Sequence, residues 1–261
     1  MTSSIARPRQ RIALVFALSA MASLGIAAGH AADTYDRAVQ HAGRSTDDLK
    51  RDIVDHPAEL LRLAGIRPGM QVADVLAADG YYSELLSDLV GPTGHVLLLN
   101  NVAYDTFSNN AWRERIGKHH LSNVEHRTVD MAHMGLGTAT LDAAVLVKVY
   151  HDLYWVSPQD GWPKIDAGAV LDQIVRALKP GGAVLVVDHS AKPGTGSSAA
   201  QDLHRIDEAY ARHDFEAHGL EFVSRSDVLR RPDDKRDRIS YKPPMLGKTD
   251  RFVYVFRKPV P

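Results

Sequence analysis

Three short stretches set histidine beside or near aspartate in patterns that can move a proton or hold a cation. They are "KVYHDLYW", "VVDHSAKPG" and "DLHRIDEAY", and they supply His151, Asp152, Asp188, His189, His204 and Asp207. Imidazole titrates near neutral pH, so a histidine steadied by a carboxylate can serve as a general base. His151 and His189 are the candidates for that base, with Asp152 or Asp188 orienting them and Tyr150, Tyr154 and Trp155 able to wall a pocket. A second chemistry is open to the same residues. Two imidazoles and a carboxylate can bind Zn²⁺ or another divalent ion and leave coordination positions free. The compact His-Glu-x-x-His spacing is lacking, and the expectation is no metal. A third reading has these side chains tying loops together through hydrogen bonds. His119, His120, His126, His213 and His218 have no evident partners and are expected to be structural or solvated.

These residues need elements that bring them together. Apolar runs "QVADVL", "HVLLLN", "VEHRTV", "LDAAVLVKVY" and "AVLVVDH" alternate with helical patterns at about 81–90, 108–119, 166–179 and 200–218. Continuous Val/Leu strands separated by helices imply a parallel sheet covered on both faces. "LEFVSR" and "RFVYVFRK" lack a convincing helix between them and read as an antiparallel pair joined by the long segment 227–250. On this reading "KVYHDLYW" closes the fourth strand and "VVDHSAKPG" the fifth. Upstream, residues 33–65 read as helical, with starts at Ser45/Thr46 and His56-Pro57 and a stop at Gly65.

The stretch "VADVLAADGYYSELLSDLVGPTGHVLLLNN" has the outline of a nucleotide-binding strand, loop, helix and strand. Together, "RPGMQVADVLAADGYYSELLSDLVGPTGHV" and "VRALKPGGAVLVVDHS" resemble the class I S-adenosylmethionine-dependent methyltransferases. More narrowly, with "HDLYW", "LHRID" and "GKTDRF", the chain resembles exported members of that superfamily. The resemblance covers nearly everything after residue 45. It implies an α/β, Rossmann-like, seven-stranded and mostly parallel sheet in the order 3-2-1-4-5-7-6, with strand 7 antiparallel and helices on both faces. It also implies S-adenosylmethionine as cofactor, in a crevice at the carboxyl ends of the strands. By the resemblance, segments 74–81, 100–102, 130–132, 148–155 and 188–192 gather around that crevice.

Carried over residue by residue, the cofactor-binding positions are Asp74, Ala78, Gly80, Asn100, Asp130 and Met131. The first motif is an acid followed by glycine at every second position. Here Asp74 and Gly80 remain, while Leu76 and Ala78 stand at the other two. Ala78 is expected to fit if its φ is negative, and Leu76 if its side chain turns into the core. After Gly80, backbone N–H groups at the start of the helix could face a ligand. Asn100 stands where the family has an acid for the ribose hydroxyls, with one acceptor and one donor group in its place. Asp130 matches the acid that reads the adenine amino group, with Met131 against the ring, or is a loop cap. Thr249 and Asp250 read as the turn that starts the last strand.

The amino-terminal residues carry an address. Arg7, Arg9 and Arg11 precede an apolar run from Ile12 to Ala28, then "GHAAD", which is the form of a secretory signal with cleavage after Ala31. The expected organisation is a signal over 1–31, a helical segment over 32–65 and a methyltransferase-like domain over 66–261, in the periplasm or secreted. Beyond the signal, 28 basic residues face 32 acidic ones, which leaves no nucleic-acid or membrane-surface footprint. Zero cysteines excludes disulfides, thiolate metal sites and a cysteine nucleophile. The expected partner is a small-molecule or side-chain methyl acceptor. The alternative function is an inactive methyltransferase-fold protein binding another small ligand in the same crevice, and a metal-dependent hydrolase is a more distant one.

Overall fold

A computed structural model describes residues 1–2 and 33–261. The proposed signal, Arg7 through Ala31, lies outside the described residues. Among the described residues no helix is long and apolar enough to cross a membrane.

Seven strands form one sheet: β1 (Gln71–Val75), β2 (His95–Asn100), β3 (Val124–Thr128), β4 (Leu141–Val147), β5 (Leu178–His189), β6 (Glu221–Ser226) and β7 (Arg251–Arg257). Their order is β3-β2-β1-β4-β5-β7-β6. The first five are parallel, and β7 runs antiparallel to both β5 and β6. This is the order and polarity expected. The side-chain period of two divides each strand between two cores. Ala73, Val75, Leu97, Leu99, Ala144, Leu146, Val184 and Val186 face one, while Val72, Val96, Ala143, Val145, Leu185 and Val187 face the other. Each fully buried Val or Leu contributes about 1.5–3 kcal/mol, so this register is strongly specified.

The second core is covered by α1 (Thr34–Gln40), α3 (Pro57–Ala64) and α4 (Tyr81–Val90). The first is covered by α7 (Ala167–Ala177) and α9 (Glu208–Ala217). Helix α3 follows the expected signals, with Pro57 in its first turn and Gly65 ending it at φ 73°. Between them, α2 (Thr46–Asp55) is N-capped by Ser45. Two short helices, α5 (Val102–Phe107) and α6 (Trp112–Lys118), connect β2 to β3.

The helix expected over 200–218 is broken. It ends as α8 (Ala199–Leu203), and His204 turns left-handed at φ 48° before α9 begins. Asp207 caps the new start by accepting from the Ala209 N–H at 2.9 Å. The long segment 227–250 is tied down by ion pairs rather than by regular structure. Arg205, with no exposure, pairs with Asp234 at 2.8 Å, and Arg236 pairs with Asp250 at 2.5 Å.

Candidate active site at the carboxyl ends of the strands

The loop after β1 keeps a glycine-type backbone without the glycines. Leu76, Ala78 and Gly80 have φ of 56°, 53° and 80°, all left-handed. The condition that Ala78 have negative φ is not met. A left-handed non-glycine residue costs about 1–2 kcal/mol, so something must hold it. Leu76 is held by burial, its side chain packed into the first core as expected. Ala78 is held by Asn100, whose Oδ1 accepts from the Ala78 N–H at 2.9 Å while its Nδ2 donates to the Ala78 carbonyl at 2.9 Å. Gly80 suits glycine by its left-handed φ of 80°, and a Cβ there would also force Leu98 Cδ1, 2.9 Å away, to shift.

Asn100 is fully buried, and its amide also donates to Asp105 Oδ1 at 2.9 Å. Its polar groups therefore hold the loop and α5 instead of facing outward. Asp74 is buried and accepts from the Ser83 hydroxyl at 2.7 Å, tying β1 to the first turn of α4. Burial pushes its carboxyl up to about 7. Part of the helix start is satisfied internally: Gly80 N–H donates to the Ala77 carbonyl at 3.0 Å and Tyr81 N–H to Asp79 Oδ1 at 3.3 Å. Asp130 is exposed and caps its own turn through the Ala132 N–H at 2.9 Å. Met131 is buried in the first core.

Helix α2 lies over this loop on its charged face. Asp48, Arg51, Asp52 and Asp55 recur at helical spacing, and each reaches across. Asp48 pairs with Arg115 of α6 at 3.0 Å, Arg51 stacks 3.8 Å from the Tyr81 ring centroid, and Asp52 accepts from the Tyr81 hydroxyl. Asp55 bonds Lys148 at 2.8 Å and Arg251 at 2.5 Å. Burial works against the Asp55 charge, but Lys148, Arg251 and Arg51 outweigh it and hold the carboxyl well below its usual range. Lys148, left-handed at φ 62° just past β4, is pushed down to about 8 by burial and by Arg51. Arg115 additionally bonds Glu84 and both the carbonyl and carboxylate of Asp79. Nothing in the spacing of these residues marked the network, because its partners are far apart in sequence.

The histidine cluster assembles beyond β4 and β5. His151 opens a short 3₁₀ turn, and its Nδ1 lies 2.7 Å from Asp188 Oδ1 while its backbone N–H donates to Asp188 Oδ2 at 2.8 Å. Its Nε2 lies 3.2 Å from Asp152 Oδ1, which is also 3.2 Å from His204 Nδ1. Tyr104 of α5 donates to Asp152 Oδ2 at 2.5 Å. Adjacent residues of α5 thus reach both groups, Tyr104 to Asp152 and Asp105 to Asn100. Burial opposes a charge on His151, but Asp152 and Asp188 outweigh it and lift the imidazole to about 10. Unless a cation displaces its second proton, a histidine held this way is poorly suited to act as a base.

His189 is the converse. It is buried, its Nδ1 shares a 2.7 Å hydrogen bond with the Thr249 hydroxyl, and its Nε2 has no partner among the described residues. Burial, with the positive charges of His151, Lys148, Arg251 and Arg205, holds it well below its usual range. It stays neutral, as a base must. Thr249, read from sequence as part of a turn, positions this ring. The Tyr150 and Tyr154 hydroxyls both donate to Asp214 Oδ2 of α9, at 2.5 and 2.6 Å. Trp155 does approach the cluster, its ring 5.0 Å from that of His204.

Comparison with solved structures settles the fold. A methyltransferase from Aquifex aeolicus, dependent on S-adenosylmethionine, superposes with a TM-score of 0.56 at 20% identity, over 82% of this chain and 99% of that one. The chain has the fold of the class I S-adenosylmethionine-dependent methyltransferase superfamily. A second structure with this methyltransferase fold, the 1,6-didemethyltoxoflavin-N1-methyltransferase of Burkholderia thailandensis with 1,6-didemethyltoxoflavin and S-adenosylhomocysteine bound, has a TM-score of 0.55 at 18% identity. It covers 82% of this chain and 81% of that one. By sequence, the chain is 26% identical over 183 residues to the ubiquinone/menaquinone biosynthesis C-methyltransferase of Teredinibacter turnerae, 67% of this chain and 68% of that one. No family model matches the chain.

Proposed function

We propose that this protein is an S-adenosylmethionine-dependent methyltransferase that acts on a small-molecule acceptor. The observation that carries the reading is the left-handed backbone at Leu76, Ala78 and Gly80. A protein that needed only a strand–helix turn would have no reason to hold two non-glycine residues there. In this reading the left-handed path would hold the cofactor, with Asn100 serving to hold the path rather than to contact ribose. When bound, S-adenosylmethionine supplies an electrophilic methyl group on a sulfonium. The chain's own part is to position the acceptor and remove its proton as it attacks. His189 Nε2 is the base, Thr249 fixes its ring, and Trp155 contributes an apolar wall. The relatives support this reading, since one is named for methyl transfer in quinone biosynthesis and another was solved with the demethylated cofactor.

Calorimetric titration with S-adenosylmethionine and S-adenosylhomocysteine tests it, the expected result being saturable binding of both. No binding of either at millimolar concentration would sink the proposal. It would favour a second reading, a methyltransferase-fold protein holding another small ligand, which the full engagement of the Asn100 amide supports.

We further propose export to the periplasm or beyond, on the strength of Arg7, Arg9, Arg11 and the apolar run to Ala28. Amino-terminal sequencing of the chain recovered from its native cell is expected to begin at Ala32. A cytosolic chain with residues 1–31 intact would refute it.

A further inference from the structure

We infer that His151, Asp152 and His204 form a binding site for one divalent transition-metal ion, of the zinc class. The inference is independent of the methyltransferase reading.

It begins with where three ligand atoms point. His151 Nε2, Asp152 Oδ1 and His204 Nδ1 all lie within 4.8 Å of one another. The carboxylate oxygen stands 3.2 Å from each nitrogen. Charge-assisted N–H···O bonds in a buried site close to about 2.7–2.9 Å. The neighbouring contacts do so, at 2.7 Å for His151 to Asp188. The two contacts to Asp152 are longer, at 3.2 Å each. Ligands about 2.1 Å from a shared four-coordinate ion stand about 3.4 Å from each other, close to the separation found.

The outer partners point the same way. A metal-bound histidine characteristically gives its other ring nitrogen to a carboxylate, which sets the tautomer and aims the free lone pair. Asp188 does this for His151, and it is itself immobilised, with no exposure and with the backbone N–H groups of His151 and His189 donating to it at 2.8 and 2.7 Å. Tyr104 holds the other oxygen of Asp152, which leaves Oδ1 for the shared position. His204 reaches the site from a left-handed backbone at φ 48°, a conformation an ordinary helix would not have imposed.

Three protein ligands leave at least one coordination position for water or an oxygen-bearing molecule. His204 lines the way in. Its side chain is 13% exposed, and the exposed Tyr241 packs at its edge with ring centroids 4.8 Å apart. Imidazole and carboxylate donors select zinc, iron or cobalt over magnesium and calcium.

The test is titration of the untagged, chelator-stripped full chain with Zn²⁺. One ion per chain is expected, at micromolar affinity or tighter. His204→Ala, a change at the rim of the site, should weaken binding by at least about 100-fold, and Asp188→Asn by about 10–100-fold. His133→Ala, on an exposed turn, should leave it unchanged. X-ray absorption at the zinc edge of the loaded wild-type chain reads the site without any substitution, and two imidazole nitrogens at about 2.0–2.1 Å are expected. Absence of stoichiometric binding, equal affinity in His204→Ala, or a spectrum without two imidazoles would each overturn the proposal.

Discussion

The side-chain amide of Asn100 pairs with both backbone polar groups of Ala78, at 2.9 Å in each direction, across a gap of twenty-two residues. A peptide group has one donor and one acceptor, and a primary amide matches both. A carboxylate matches only one. Asn100→Asp would therefore leave the Ala78 carbonyl without its donor and set a second carboxylate against Asp105. We expect a loss of at least about 2 kcal/mol, read as a shift in the urea midpoint. Unchanged stability would mean the amide is not what holds the loop.

Ala78 and Leu76 share a left-handed backbone but should respond oppositely to glycine. Ala78 is only partly buried, so Ala78→Gly removes strain of about 1–2 kcal/mol at an entropic cost of about 0.5–1 kcal/mol. A small net stabilisation is expected. Leu76→Gly removes the same strain and also a side chain that is 2% exposed, for which truncation costs about 2–5 kcal/mol. Thermal unfolding of the two variants should move in opposite directions.

Asp74 makes stability depend on pH in a stated direction. Burial raises its folded pKa to about 7 from the usual 3.8, so between those values the folded chain holds a proton the unfolded chain has released. This contribution is whole below about pH 4 and is lost as pH rises through 7. Asp74→Asn should flatten that part of the profile and gain on the wild type above pH 7. Melting temperatures of both chains from pH 4.5 to 8 check it, and parallel profiles would refute it.

Asp55 anchors α2 to the ends of β4 and β7 through Lys148 and Arg251. Asp55→Asn leaves those cations facing one another without an anion. A loss of about 3–5 kcal/mol is expected from breaking a buried pair on one side only. Hydrogen exchange should show the loss as early opening of α2, and protection of α2 equal to the wild type would count against the anchor.

If His189 is the base, His189→Ala should lower the turnover number by about 10²–10⁴-fold and leave cofactor affinity nearly unchanged. The measurement is transfer of a labelled methyl group to the acceptor the wild type modifies. His151→Ala affecting turnover while His189→Ala did not would reassign the base.

Much of the fold was legible because apolar periodicity and strand ends are local properties. Short apolar runs marked all seven strands, and Ser45, Pro57 and Gly65 marked their helix ends through local preferences that need no distant partner. The strand order came through resemblance, since periodicity does not say which strand lies beside which. The break at His204 was missed because residues 200–218 carry a helical pattern throughout, and contacts across the fold override it. Helix α5 was missed for a related reason: six residues are too few for periodicity to register.

The sequence by itself determined that histidines and aspartates stand at the ends of β4 and β5, and that glycine is absent from two positions of the first loop. Only the tertiary structure decided what those facts do. His151 lies between two carboxylates that favour positive charge there, while His189 lies among cations that disfavour it, so two similar His/Asp pairs are pushed in opposite directions. The missing glycines proved compatible with a glycine-like backbone because Asn100 and the core enforce it. Electrostatic and hydrogen-bond partners are set by proximity in space, and here they come from residues 22 to 60 positions apart.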